Sequence, residues 1–113
     1  MDPAYRARDE DLRRWSGEFP DTTRIAEVEP RHRAKVVGVV SKIRLVPDKS
    51  IEVTVEDGSG RGLTGLWTGR TRLPGIELGA GLVLTGTVAA ERDGSLRMRN
   101  PEYATIAGPY AAM

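Results

Sequence analysis

The spacing of apolar residues changes period once along the chain. Near the start, Tyr5, Leu12, Trp15 and Phe19 recur at intervals of 7, 3 and 4, which lays them on one stripe of an α-helix. Arg8 falls on the same stripe and fits if its aliphatic stem follows the stripe while the charge reaches outward. Asp2 and Pro3 suit a cap and a first helical position, and Gly17 with Pro20 suits a stop. The pattern predicts one helix over 3–16, with Phe19 just past its end. Such a stripe either docks on the protein's own body or offers an apolar surface to a protein partner.

From Ala34 the period becomes two. "AKVVGVVSKIRLV" (34–46) reads as a long valine-rich strand in which Gly38 marks a bend or a close backbone approach. "PDKS" (47–50) turns the chain. "IEVTVED" (51–57) then alternates, Ile51, Val53 and Val55 on one face against Glu52, Thr54 and Glu56 on the other. "DGSG" makes a turn and "GLTGLWT" (62–68) a third strand. Residues 69–81 hold too much Gly and Pro for a regular strand and allow at most one helical turn. "LVLTGTVAA" (82–90) is a fourth strand, and "ERDGS" closes a hairpin through Asp93-Gly94. "LRMRNPEYATI" (96–106) is a fifth, broken near Pro101, where the missing N–H interrupts a ladder.

Five short, bent strands with a long glycine-kinked first one imply a sheet closed on itself, because closure removes exposed edges. The fold class read from this is all-β: a five-stranded Greek-key OB-fold barrel preceded by an N-terminal α-helix. The chain divides into a helix and linker over 1–23 and a barrel over 24–113. "VVGVVSKIRL", "DGSG", "WTGRTRLPGIELG", "LTGTV" and "MRNPEY", in that order, resemble OB-fold nucleic-acid-binding domains over about residues 24–106. The succession is similar to the wedge OB domain of RecG-type helicases and to small stand-alone OB-fold proteins of actinobacteria. Two departures stand out: the extra Arg61-Gly62 before the third strand, and Gly65 where larger residues are usual. The resemblance implies a partner that is single-stranded or branched DNA, or RNA.

Charge sharpens this picture. The whole chain carries a net +1, yet residues 1–30 carry −3 and residues 31–113 carry +4, the sign a polyanion partner requires. With 113 residues, one domain is expected. No apolar run is long enough to cross a bilayer and "MDPAYRARDEDLRRW" has no signal-peptide core, so a soluble cytoplasmic protein with no membrane role is the expectation. Cysteine is absent, which excludes disulfides, thiolate catalysis and cysteine metal sites.

"GRGLTG" (60–65) matches the glycine spacing of a dinucleotide loop, but Gly69 and Pro74 prevent the helix that would point its N-terminus at a pyrophosphate. Turn geometry and barrel curvature account for these glycines instead. The single histidine, His32, lies between two arginines with no carboxylate at a motif spacing, and reads as a solvated loop residue. No hydrolase, zinc or acidic metal motif occurs, so no catalytic residue, metal or cofactor is expected.

Single-strand OB domains use their second and third strands, framed by the loops between strands one and two and between strands four and five. On that mapping Lys49 lies in the first framing loop and Arg92 in the second. Arg61 precedes strand three, and Arg70 and Arg72 follow it. Lys42 and Arg44 share one parity on strand one, as Arg97 and Arg99 do on strand five. Trp67 is the candidate stacking platform: strict alternation from Leu63 sends it inward, and a bulge at Gly65 would turn it outward. Glu52 and Glu56 on the exposed side of strand two would repel phosphate. "NPEY" (100–103) reads as structural, Tyr103 packing at the barrel's end with its hydroxyl on backbone. A protein-interaction OB module, docking through the helix stripe and acidic strand two, is the alternative function.

Overall fold

The computed structural model describes residues 3–70 and 72–109, with side chains from residue 8 onward. The helix forms over Pro3–Ser16 (α1). It stops at Gly17, whose N–H donates to the Arg13 carbonyl at 3.1 Å. A short 3-10 turn, Ile25–Glu27, follows. The strands are β1 (Arg33–Val46), β2 (Ser50–Glu56), β3 (Gly62–Thr68), β4 (Gly81–Ala90), β5 (Leu96–Arg99) and β6 (Glu102–Ile106).

The expected fifth strand is thus two, and the cause is local. Asn100 takes a positive φ of 46° and Pro101 has no N–H, so the run changes partners there. Before the break β5 lies between β3 and β4, pairing parallel with β3 from Leu63↔Leu96 to Leu66↔Arg99. After it, β6 pairs antiparallel with β4 from Gly81↔Ile106 to Thr85↔Glu102. The other edge of β4 pairs with β1, from Arg33↔Thr87 to Val39↔Gly81. The sheet therefore closes as β1-β2-β3-β5-β4-β1.

β1 serves both sides of this closure by bending. A Cβ on Gly38 would stand 2.9 Å from the Val55 Cβ and 3.0 Å from the Glu56 carbonyl oxygen, the close approach its sequence position implies. A register shift between Val40 and Lys42 then inverts the inward parity. Val36 and Val40 point into the barrel, and beyond the shift Lys42 and Arg44 point out opposite Thr54 and Glu52. Inside, the β1 valines meet Val53, Val55, Leu63, Leu82, Leu84, Leu96 and Met98. Ile25 and Val28 from the 3-10 turn join this core, as do Leu73 and Ile76 from the β3–β4 connection, which contains turns and no helix among its described residues.

The helix stripe docks on the outside of the same barrel. Leu12 and Trp15 are buried against Val37 and Val39, with Phe19, Val83 and Ile106 beside them. Leu12 and Trp15 therefore do not present a surface to a partner, which corrects that reading of the stripe; the Tyr5 side chain lies outside the described residues. Trp15 Nε1 donates to the Ala107 carbonyl at 3.2 Å, and its ring stands edge-on to Phe19. Arg8 directs its guanidinium to Glu56 at 3.8 Å.

The "DGSG" turn is the other half of the dock. Arg13 Nη1 donates to the Gly58 carbonyl at 3.0 Å and Ser16 Oγ to the Asp57 carbonyl at 3.2 Å. Gly58 has φ +83°, and a Cβ there would stand 2.5 Å from the Asp9 carbonyl oxygen, so helix and turn meet backbone to backbone. Asp57, 2% exposed, accepts the Ile25 N–H at 2.8 Å through Oδ2 and the Ser59 N–H at 3.0 Å through Oδ1. These bonds satisfy a buried carboxylate and fix the 3-10 turn.

Candidate nucleic-acid interface

Beyond the helix dock, a second face is built from the outward positions of β1 past its bend and of β2, β3 and β5. Its centre is polar. Thr54 and Thr64 share a hydrogen bond of 2.8 Å between their hydroxyls, and the shallow depression around them, about 230 Å³, also takes in Lys42, Arg44, Glu52 and Arg97, with Asp93 and Ser95 at its rim. Glu52 is mostly covered, its side chain 13% exposed, with Oε1 3.2 Å from Arg97 Nη1 and Oε2 3.8 Å from Arg44 Nη1. Arg97 also stands 3.6 Å from Glu91. The two strand-two carboxylates expected to repel phosphate are thus both paired, Glu52 across the face and Glu56 with Arg8.

One end of the face has a different character. Where the β1–β2 hairpin turns, Leu45 is 67% exposed although it has the inward parity of Ile43 and its partner Ile51 is buried, because this half of β1 has a strand, β2, on one side only. Leu45, Val46, Pro47 and Ile51 are the apolar lining of a depression of about 450 Å³ that also takes in Asp48, Lys49, Gly69 and Arg70. Arg72 stands nearby, beside Leu73 and Ile76. Sequence reasoning named the cations here and missed Leu45; an apolar residue between Arg44 and a turn was the available signal.

The β4–β5 turn frames the other end. Asp93 accepts the Ser95 N–H at 2.9 Å and its hydroxyl at 2.7 Å, and these bonds, with Arg97 nearby, hold its carboxyl below the ordinary carboxylate value. Gly94 takes φ +86° and Arg92 is exposed. Arg61 donates to the Gly94 carbonyl, tying the β2–β3 turn to this one. Arg99 is exposed on β5 opposite Leu66. Among the described residues, no carboxylate lies within 4.0 Å of Lys42, Lys49, Arg70, Arg72, Arg92 or Arg99. Arg44 and Arg97 are committed to Glu52, and Arg61 to backbone.

Trp67 does not belong to this face. No bulge forms at Gly65, so alternation holds and the indole points inward, 1% exposed. Its Nε1 donates to the Pro101 carbonyl at 3.0 Å and its ring meets Tyr103 edge-on at 5.8 Å. Gly65 makes room: a Cβ there would stand 2.7 Å from the indole ring. The ring is therefore not available as a stacking platform, which corrects its place among the binding residues. Tyr103 does bond to backbone as expected, donating to the Pro74 carbonyl at 3.2 Å. His32 is exposed as expected, but it has a carboxylate: Glu29 lies 2.7 Å from its Nδ1. Among the described residues there is no group of three or more acidic or histidine side chains placed to hold a metal, and no helix is long and apolar enough to cross a membrane.

No known protein-family pattern and no curated protein matches the sequence. Solved structures do match. A chain of the S. pombe Stn1-Ten1 complex superposes with a TM-score of 0.57 at 17% identity, over 68% of this chain and 60% of that one. The p204 HINb domain superposes with a TM-score of 0.63 at 19% identity, over 79% of this chain and 49% of that one. This chain spans less than two thirds of either, and at these identities what is shared is the path of the backbone. With the closed strand order and the parallel β3–β5 pairing, these likenesses establish an OB-type barrel carrying one N-terminal helix.

Proposed function

We propose that the chain is a non-catalytic OB-fold module that binds single-stranded or branched nucleic acid, DNA or RNA, mainly through backbone phosphates. The observation that carries this reading is the set of cations with no carboxylate within 4.0 Å among the described residues, Lys42, Lys49, Arg70, Arg72, Arg92 and Arg99, on and around one barrel face. Phosphate contacts supply most of the affinity of sequence-tolerant binding and need no aromatic platform. Base contact, with Trp67 buried, falls to the aliphatic wall of Leu45 and Pro47 beside Lys49 and Arg70. The likeness of the sequence to the RecG wedge domain favours a branched substrate, and a cytoplasmic setting goes with it. In this reading segment 1–23 braces the barrel over 24–113.

The second reading is a protein-interaction module. It is favoured by the exposure of Leu45, and by a structural neighbour that comes from a two-protein complex.

Titration of a fluorescently labelled oligonucleotide at low and moderate salt separates the two. Counterion release requires the affinity to fall steeply with salt. Lys49→Ala with Arg70→Ala should flatten the log–log slope by about 1.4, since each phosphate neutralised on a single strand accounts for about 0.7. No binding at low salt overturns the first reading.

A further inference from the structure

Glu52 and Asp93 both line the central depression of the proposed face, but Glu52 is the one paired with two arginines, and its geometry is more than a charged surface needs. It sits on β2, yet Arg97 reaches it from β5, across β3, and Arg44 reaches it from β1. The small side chains Thr54 and Thr64 occupy neighbouring outward positions and join by their hydroxyls, which keeps the centre of the face low. Two guanidinium groups thereby converge on one oxyanion, the arrangement that also receives a phosphate. Lys42 lines the same depression and has no carboxylate within 4.0 Å among the described residues. Glu52 is mostly covered while Arg44 is exposed, so the pairing contributes to the face as well as to the fold. Its larger consequence is for ligands: two cations of the face are already occupied.

We infer that Glu52 is an internal competitor for phosphate. It holds Arg44, and with Glu91 it holds Arg97, where a backbone phosphate of the bound strand would otherwise sit, and its pairing at 3.2 Å is the shorter of the two on Arg97, so it limits the affinity of the free face. The inference rests on the nucleic-acid reading and deepens it by naming a phosphate position, between Arg44, Arg97 and Lys42, and the residue that guards it. Binding there exchanges one anion for another at the same arginines, with no bond made or broken.

Glu56 supplies the control. It lies four residues further along the same outward side of β2 but pairs with Arg8 of the helix, so its neutralisation removes the same charge without freeing Arg44 or Arg97. The test measures binding of a labelled oligothymidine to the wild-type chain, Glu52→Gln, Glu52→Thr and Glu56→Gln, each checked for an unchanged thermal transition. Glu52→Gln and Glu52→Thr should bind about five- to tenfold more tightly near 0.1 M salt, with a slope steeper by about 0.7 for each arginine freed. Glu56→Gln should gain clearly less. Adding Arg97→Ala should cancel the gain of Glu52→Gln, while Arg97→Ala alone should cost little.

Equal gains at both glutamates would overturn the inference by reducing it to net charge. Wild-type binding with no gain in either Glu52 variant would overturn it and leave the nucleic-acid reading standing. If neither wild type nor variants bind at low salt, both fall. Binding by the Glu52 variants alone would support both.

Discussion

β1 contains two regions that share a strand and differ in what covers them. In its first half, Val36 and Val40 point into the barrel while Val37 and Val39 point out, and all are buried because α1 lies over the outward pair. In its second half, past the shift at Ser41, Ile43 points in and the outward residues are Lys42 and Arg44. The outward side of a barrel strand thus reports its neighbour. Valine there marks a covered face, and lysine or arginine an open one. A valine-rich run that is apolar on both parities is a strand with something packed on each side.

The separation can be attacked from the covered side. Leu12→Ala removes the central helix contact with Val37 and Val39 and should cost about 2–5 kcal/mol in chemical denaturation, as buried leucine truncations do. It should leave oligonucleotide affinity unchanged; a matching loss of affinity would show that the two faces are one unit. Gly38→Ala comes next. The added methyl meets Val55 and the Glu56 backbone, neither of which can swing away, so a cost of about 1–3 kcal/mol is expected from overpacking.

The smallest effect belongs to the open side. Asp93 holds the β4–β5 turn as a carboxylate, and its folded-state pKa is lowered by the Ser95 hydroxyl and N–H. The stability it contributes is present above its unfolded-state value and lost as pH falls through the folded one. Asp93→Asn should therefore unfold slightly earlier than wild type in urea at neutral pH, and the difference should vanish in strong acid. A difference that survived in acid would mean that the turn does not depend on the ionised carboxylate.

The helix, the strands and the break at Pro101 were legible because each is written in local spacing or in a residue with one backbone habit. What was not legible depends on geometry between elements. Nothing in "VVSKI" announces the shift at Ser41, which decides that Lys42 faces out. Ile25 belongs to no helix or strand pattern in the sequence, and its place in the core rests on Asp57, far along the chain, which accepts its N–H. Trp67 had two readings from sequence, and the choice fell to the space that Gly65 leaves for its ring and to the Pro101 carbonyl. Of the candidate site, the cations at the framing loops were readable, but the pairing of Glu52 with Arg44 and Arg97 spans several strands and has no sequence signature.

The bond from Trp15 to Ala107 joins residues 92 positions apart. During synthesis the helix leaves the ribosome long before its seat exists, since Val37 and Val39 must first be made, then the Gly58 turn, and last the segment after β6. Through that interval its aromatic stripe has no native partner, and a newly made chain carries an exposed Trp15 until the segment after β6 has been made. The interval in which this chain is most open to wrong association therefore belongs to α1, and it closes only when the segment after β6 arrives.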